Sequence, residues 1–206
     1  MKKIIIIIFS VLISSNLFAI DREDVEKYIE KNFKSVKTIK LDYSDLNNKY
    51  NYGYIKAKKG NKYRINTYDR IIVCNGSKIW NYAVNNNKVM ISKFDSDRSS
   101  LSIENIFFDI LKNSKINNFK KEISTNKNNN NLYSVDFTIS DSDKSKYKID
   151  KLNVLINEKF DIKQINLSYN GQEQRLKIKS LSINKKINDK EFNFKLPKNS
   201  QVIEID

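Results

Sequence analysis

The chain of 206 residues has no histidine, one cysteine, one proline and four glycines. Without histidine it lacks the usual general base at neutral pH and the commonest metal ligand. The single Cys74 cannot form an internal disulfide, and one cysteine without histidine excludes a zinc cluster of the ordinary type. These absences argue against an enzyme and predict a binding protein with no metal and no other cofactor.

Two acidic pairs remain as candidates for acid–base catalysis or calcium binding, Asp95 with Asp97 and Asp141 with Asp143. Both lie in serine-rich stretches, "FDSDRSS" and "ISDSDKS". Aspartate is expected in such stretches because its side chain bonds the local backbone of a turn. We therefore interpret both pairs as turn residues.

Long apolar runs are also scarce, and the longest opens the chain. Residues 1–19, "MKKIIIIIFSVLISSNLFA", have two early lysines, an apolar run and a short polar stretch before Ala19. This layout is typical of a secretory signal peptide cleaved after Ala19. The alternative is a membrane anchor, but the run covers only about half of a ~20-residue bilayer crossing. We predict an exported chain with one mature domain, residues 20–206.

The charge is one-sided, with 38 Lys and Arg against 24 Asp and Glu, a formal net charge of +14. The lysines are interleaved with acidic residues, form no concentrated arm, and accompany no nucleic-acid-binding motif. Weak attraction to anionic membrane surfaces is therefore a better interpretation than nucleic-acid binding.

Two segments have helical periodicity. The first begins at Asp21, a good N-cap, and runs to about Val36 with one apolar face. The second lies between Leu101 and Phe119 in the middle of a strand-rich chain. Its apolar stripe consists of Ile103, Ile106, Phe107, Ile110 and Leu111.

Alternating apolar and polar residues predict about six strands before the second helical segment and about five after it. Asn75-Gly76 and Asn170-Gly171 are strong hairpin signals, because both turn positions favour positive φ. We predict a mainly β (α+β) fold: one curved antiparallel sheet of about 11 strands, an unclosed half-barrel covered by a helical lid. Eleven Tyr, eleven Phe and Trp80 are more rings than such a core requires. The excess favours an apolar ligand, a lipid.

Three segments resemble those of the LolA-type periplasmic lipoprotein carriers. They are "IIVCNGSKIWNY" (71–82), "GYIKAKKGNKYRI" (53–65) and "EFNFKLPKNSQVIEID" (191–206). The resemblance implies a half-barrel lidded by helices, with a hydrophobic cavity that takes up the acyl chains of lipoproteins. Such a carrier accepts lipoproteins from an inner-membrane ABC transporter complex and shuttles them through the periplasm to the outer membrane.

The resemblance and the strand alternation together predict the binding residues. Seven are expected to line the acyl cavity: Tyr63, Ile65, Ile72, Trp80, Tyr82, Val135 and Phe137. Three more are expected to face it from the lid: Ile103, Phe107 and Ile110. Lys59 stands where the family has an arginine that pins the lid, and it lacks the arginine's fork of donors. The lid then closes less firmly, or Arg64 substitutes.

The resemblance further implies a monomer that contacts membrane surfaces transiently, and it leaves open whether an outer-membrane acceptor exists. A second interpretation is an envelope sensor on the same scaffold, which binds lipid to regulate a partner. A third is a structural envelope protein whose aromatic residues merely fill the core.

Overall fold

The computed structural model describes residues 20–95, 103–122 and 131–205. The predicted signal peptide, Asp97 and most of the Asn-rich stretch 124–131 lie outside the described residues. Among the described residues, no helix is long and apolar enough to span a membrane.

The N-terminal helix, α1, spans Arg22–Phe33 and begins at the predicted N-cap. The backbone N–H of Asp24 donates to Oδ1 of Asp21 at 2.9 Å, and the N–H of Asp21 donates to Oδ2 of Asp24 at 3.2 Å. Aspartate therefore completes a capping box in which Glu or Gln is usual. Val25 and Phe33 are the buried residues of its apolar face.

The mid-chain helix consists of three consecutive pieces, which we name together the lid helix. They are α2 (Ile103–Asn105), a π-helical turn (Ile106–Ile110) and α3 (Leu111–Asn113). The helix ends six residues before the predicted end at Phe119. Ser114 is extended, and the chain continues as a strand instead, because Phe119 stacks on Tyr133 of the neighbouring strand.

A short helix, α4 (Asp141–Tyr147), replaces one of the two predicted aspartate turns. Ser140 is its N-cap, and its side chain accepts from the N–H of Asp143. Asp143 thus bonds locally, as the turn interpretation required, but within a helix.

The described part of the chain contains twelve strands, which form one sheet in the order β12-β6-β5-β4-β3-β2-β1-β11-β10-β9-β8-β7. The described edge strands β12 and β7 do not pair with each other, so the sheet is unclosed. The described neighbours pair antiparallel except β12, which runs parallel to β6. The strand bounds are β1 Thr38–Asp45, β2 Tyr52–Lys58, β3 Lys62–Thr67, β4 Arg70–Asn75, β5 Lys78–Ala83, β6 Lys88–Lys93, β7 Lys115–Glu122, β8 Leu132–Thr138, β9 Ile149–Asn157, β10 Ile162–Tyr169, β11 Gln172–Ile183 and β12 Gln201–Ile205. The prediction of a single, unclosed sheet is confirmed. The sheet is antiparallel-rich and not wholly antiparallel, and it has one more described strand than the eleven expected.

One face of the sheet, the inner face, packs against α1 and the lid helix. Its core draws on β1, β2 and β8–β11, including Leu41, Ile55 and Ile165, all at most 1% exposed. Tyr43 lies opposite Gly53, where an added Cβ would stand 3.0 Å from the tyrosine ring and 2.7 Å from the carbonyl oxygen of Asn66. This position therefore requires glycine.

The opposite, outer face is covered over β2–β6 by the C-terminal segment, residues 184–205. A 3₁₀ turn, Asp189–Phe192, stands over β3 and β4 and buries Phe192. Ion pairs join this turn to the strands at 2.9 Å (Lys56 to Glu191) and 2.6 Å (Lys58 to Asp189). Beyond it the segment ends as β12 on the edge of β6.

Candidate functional site

Five of the seven predicted cavity residues lie on the inner face. Ile65 stands opposite Ile72, and Tyr63 stands opposite the buried Cys74. Tyr63 and Ile65 pack against the core, and Ile72 is partly buried. On the far half of the same face, Val135 and Phe137 of β8 are 1% and 8% exposed.

Trp80 and Tyr82 lie on the outer face, which corrects the sequence-based register. Trp80 pairs with Val73 and Tyr82 with Ile71. The hairpin loop contains two residues, with Gly76 at a φ of +101°, so every pair joins an odd position to an even one. Ile72 and Trp80 therefore cannot share a face. Both rings instead contact Phe194 of the C-terminal segment, with centroids 6.2 Å apart.

The inner-face positions of β5 and β6 belong to other residues, which the sequence reasoning missed. Ile79 pairs with Cys74, and Asn81 pairs with both Ile72 and Met90. Met90 is 39% exposed, so this half of the inner face is less covered than the half near β8. These positions can be identified from the sequence, because strands joined by a two-residue hairpin loop pair odd positions with even ones.

The predicted lid residues do face the core. Phe107 and Ile110 are fully buried, and Ile103 packs against the same cluster while remaining partly exposed. Phe107 stacks on Phe33 of α1 at 6.0 Å between centroids. The lid helix therefore packs beside α1, and both contribute to the core on the inner face.

Polar contacts also reach the lid helix and the strand that follows it. The hydroxyl of Tyr147, on α4, donates to Oδ2 of Asp109. Burial, followed by this bond to Asp109, raises the pKa of Tyr147 well above its ordinary value. A guanidinium N–H of Arg22 donates to the carbonyl of Ile116, just beyond the end of the lid helix, at 2.7 Å.

Neither basic residue proposed for pinning the lid occupies that place. Lys59 is exposed in the turn between β2 and β3, and its backbone N–H donates to the carbonyl of Lys37 at 2.9 Å. Arg64 pairs with Val73 and Lys56, which puts it on the outer face near Glu191. The suggestion that Arg64 substitutes for a lid arginine is therefore corrected, because strand alternation directs it away from the lid helix.

Two further described groups, Cys74 and Tyr63, have pKa values raised by burial. Burial raises the pKa of the Cys74 thiol, so the thiol stays protonated and is a poor nucleophile at neutral pH. Burial, then Cys74 and Glu104, raise the pKa of Tyr63. Within the described ranges, no three His, Cys, Asp or Glu residues are grouped as metal ligands.

A cavity of about 360 Å³ lies at one end of the inner face, beside the beginning of the lid helix. It is lined by Ile103, Ile106 and Leu167 together with Asp45, Asn51 and residues of the β10–β11 hairpin. Its size is at the lower end of ligand pockets, about 300–1,000 Å³. Farther along the face, side chains such as Phe107, Val135 and Phe137 fill the interior.

Two solved structures are similar to this chain. An uncharacterized conserved protein from Thermus thermophilus has a TM-score of 0.48 at 10% identity, covering 89% of this chain and 98% of that one. A putative outer membrane lipoprotein-sorting protein domain from Vibrio parahaemolyticus has a TM-score of 0.37 at 9% identity, covering 83% and 94%. A search of individual curated proteins found no match.

The family comparison is more informative than these structural similarities. The family "Outer membrane lipoprotein carrier protein LolA" matches residues 34–195. The match runs from the end of α1, through the lid helix, into the C-terminal segment. The chain therefore belongs to the LolA family of outer membrane lipoprotein carrier proteins.

Proposed function

We propose that this protein binds the acyl chains of lipoproteins between the inner face and the lid helix, and shuttles lipoproteins from the inner to the outer membrane. One observation carries the proposal. In a chain of a carrier family, a helix with a fully buried apolar stripe closes over an apolar sheet face. The proposal includes residence in the periplasm as a monomer, and delivery of cargo by an inner-membrane ABC-type complex.

A carrier is physically necessary because acyl chains resist entering water. Each buried CH₂ contributes about 0.8 kcal/mol, so one chain of ~16 carbons costs roughly 13 kcal/mol to expose. Lipoproteins carry two or three such chains. Spontaneous transfer between membranes is therefore very slow, and a protein that shields the chains removes most of this barrier.

Acyl chains enter by displacing the lid helix, since Phe107, Val135 and Phe137 fill the interior in this structure. The lid helix contains a π-helical turn, a feature that is common at functional sites. An entering chain replaces apolar lid contacts by apolar ligand contacts, so the net affinity stays modest. Modest affinity suits a carrier, because cargo must be released to the next membrane or acceptor.

The test is release of lipoproteins from membranes. The mature protein is incubated with spheroplasts making labelled lipoproteins, and a soluble one-to-one complex is expected. Phe107→Glu should abolish loading, because the acyl chains would then have to pack against a charged carboxylate. The matched control is Lys185→Glu, at an exposed site in the C-terminal segment, which should load normally.

The outcomes separate the functions. Normal loading of Phe107→Glu would show that the lid helix does not contact the acyl chains. Binding of free acyl lipid without release of any lipoprotein would favour the envelope sensor. Absence of both binding and release would leave the aromatic residues as ordinary core.

A further inference from the structure

We propose that an exposed tyrosine–lysine patch docks this protein onto anionic phospholipid membranes, an inference that rests on the proposed carrier function. We name it the tyrosine patch, and it consists of Tyr50, Tyr52, Tyr68, Lys49 and Lys179. Docking by this patch would hold the cavity end of the sheet against the membrane from which acyl chains are taken or to which they are returned.

The three rings form one exposed cluster. Tyr50, Tyr52 and Tyr68 are 60%, 42% and 58% exposed. The ring of Tyr68 lies 6.0 Å from that of Tyr50 and 6.2 Å from that of Tyr52, centroid to centroid. Tyr50 lies in the β1–β2 turn, Tyr52 begins β2, and Tyr68 lies in the β3–β4 turn. The cluster is therefore built by the fold and not by one stretch of chain.

Two ammonium groups border the rings. Nζ of Lys49 is 4.9 Å from the ring centroid of Tyr50, and Nζ of Lys179 is 6.0 Å from that of Tyr52. Neither lysine belongs to an ion pair of the described part of the chain, unlike Lys58 and Lys62, which share Asp189. Their charge is therefore available to an anionic partner.

Two nearby carboxylates, Asp69 and Asp45, are engaged by neighbouring side chains. Asp69 lies 3.7 Å from the guanidinium of Arg70. Asp45 accepts hydrogen bonds from the side-chain amides of Asn51 and Gln174 at 2.8 and 3.3 Å. The amide donors leave the charge of Asp45 in place, but this carboxylate is buried beside the cavity, whereas Lys49 and Lys179 border the exposed rings.

The patch lies at the same end of the sheet as the cavity. The β1–β2 and β3–β4 turns meet there, since Gly53 pairs with Thr67. The β10–β11 hairpin adjoins them, with the N–H of Leu46 donating to the carbonyl of Arg175 at 2.7 Å. Asn51, the neighbour of Tyr50, lines the cavity. The patch and the cavity therefore share one end of the sheet, with Tyr52 on the outer face and the cavity on the inner face.

The chemistry of the patch fits a lipid headgroup layer. Tyrosine has an apolar ring and a polar hydroxyl, and it is enriched where one end of a side chain is apolar and the other wet. Lysine buries its stem along apolar surface while its ammonium group meets phosphate. The formal net charge of +14 adds a general attraction toward an anionic surface.

The experiment measures co-sedimentation of the mature protein with protein-free vesicles of phosphatidylcholine alone or mixed with phosphatidylglycerol. Binding is expected only to the mixed vesicles, and added salt should weaken it. Lys49→Gln with Lys179→Gln should weaken it about 30-fold, since a lysine near an anionic surface contributes about 1 kcal/mol. The matched control, Lys185→Gln with Lys186→Gln, removes the same charge at exposed sites that follow the other end of β11, and should change binding far less.

The second variant tests the rings. Replacing Tyr50, Tyr52 and Tyr68 by serine should weaken binding at least about tenfold, since burying only about 60 Å² of ring surface supplies that factor. Far-ultraviolet circular dichroism of this exposed triple variant is the control that its strands are retained. Wild-type binding of either patch variant, or equal losses in patch and control variants, would overturn the proposal.

Binding of a fluorescent fatty acid, measured without membranes, separates this proposal from the carrier function. Patch variants should keep fatty-acid binding. Vesicle binding without fatty-acid binding would overturn the carrier function and leave the docking surface standing. If the patch variants bound protein-free vesicles normally but lost lipoprotein uptake from native membranes, the patch would be a surface for a membrane protein, and the lipid proposal would be wrong.

Discussion

The two faces of the sheet are both apolar in part, yet they are covered in different ways. The inner face is covered by helices whose contact is mostly apolar, with Phe107 stacked on Phe33 and one hydroxyl bond from Tyr147 to Asp109. The outer face is covered by an extended segment tied by ion pairs from Lys56, Lys58 and Lys62 and by a parallel edge strand.

This difference in the kind of contact indicates which cover can move. Apolar contacts are non-directional, so a helix held by them can shift and be replaced by another apolar body. A segment held by strand pairing and several ion pairs loses directional bonds as soon as it moves. The inner cover is therefore suited to open for a ligand, and the outer cover is suited to fix the sheet.

The largest expected losses of stability come from truncating one buried ring in each cover, Phe107 of the lid helix and Phe192 of the C-terminal segment. Phe107→Ala and Phe192→Ala should each lower the free energy of unfolding by about 3–5 kcal/mol, since both rings are fully buried. Only Phe107→Ala should change the affinity for a fluorescent fatty acid. Chemical denaturation and a binding titration measure the two quantities. Equal changes in binding would mean that the two covers are not functionally distinct.

A smaller loss of stability is expected from removing one tyrosine hydroxyl on either face of the sheet. Tyr147→Phe leaves Asp109 without that donor and should lower the free energy of unfolding by about 1–3 kcal/mol. It should also speed fatty-acid uptake, because the lid helix is held less firmly. The control is Tyr82→Phe, which removes a bond to Asn87 at 3.1 Å on the outer face. Stopped-flow uptake that is unchanged in Tyr147→Phe would show that this bond does not limit opening.

The outer cover should respond to acid. Hydrogen bonds from Lys58 and Lys62 hold the pKa of Asp189 below its ordinary value, and a hydrogen bond from Lys56 does the same for Glu191. A carboxylate with a lowered pKa in the folded state stabilises the fold above its ordinary pKa of about 4. The contribution is lost as pH falls through the lowered folded value.

This loss is expected to be small because both groups are largely exposed. Trp80 fluorescence reports it, since Trp80 contacts Phe194 of the C-terminal segment. Lys56→Gln should reduce the change between about pH 5 and pH 2. The same acid transition in wild type and in Lys56→Gln would assign it to other groups.

The last prediction is that Trp80 fluorescence does not change when a ligand binds. Because Trp80 lies on the outer face, loading with an acyl ligand should leave its emission unchanged. A tryptophan placed on the inner face, Ile79→Trp in a Trp80→Phe background, should shift its emission to the blue under the same loading. A blue shift of Trp80 in the wild-type protein would place the ligand against the outer face.

Much of the fold follows from local signals in the sequence. The capping box at Asp21 and the buried stripe of the lid helix depend on residues three or four positions apart, and sequence displays such spacings directly. The number of strands before the lid helix was also correct. Strand β7 was not foreseen, because Lys115–Glu122 is mostly polar and its place depends on pairing with β8.

The candidate site was predictable only in part. The inner-face positions Tyr63, Ile65 and Ile72 follow from alternation within each strand. Trp80 and Tyr82 were assigned by motif resemblance, although hairpin parity already placed them on the other face. The roles considered for Lys59 and Arg64 required contacts across the fold, which no spacing along the chain encodes.

By itself, the sequence determined the family, the lid stripe and an unclosed β sheet, because these arise from periodicity and from short motifs. Only the tertiary structure decided what covers each face, and it brought Tyr50, Tyr52 and Tyr68 together beside the cavity. The physical reason is that a face is a property of paired strands. The side chains that pack on one face come from segments far apart in the chain, as Phe194 and Trp80 do. Their contact depends on strand register and on the path of the connecting segments, which local preferences do not specify.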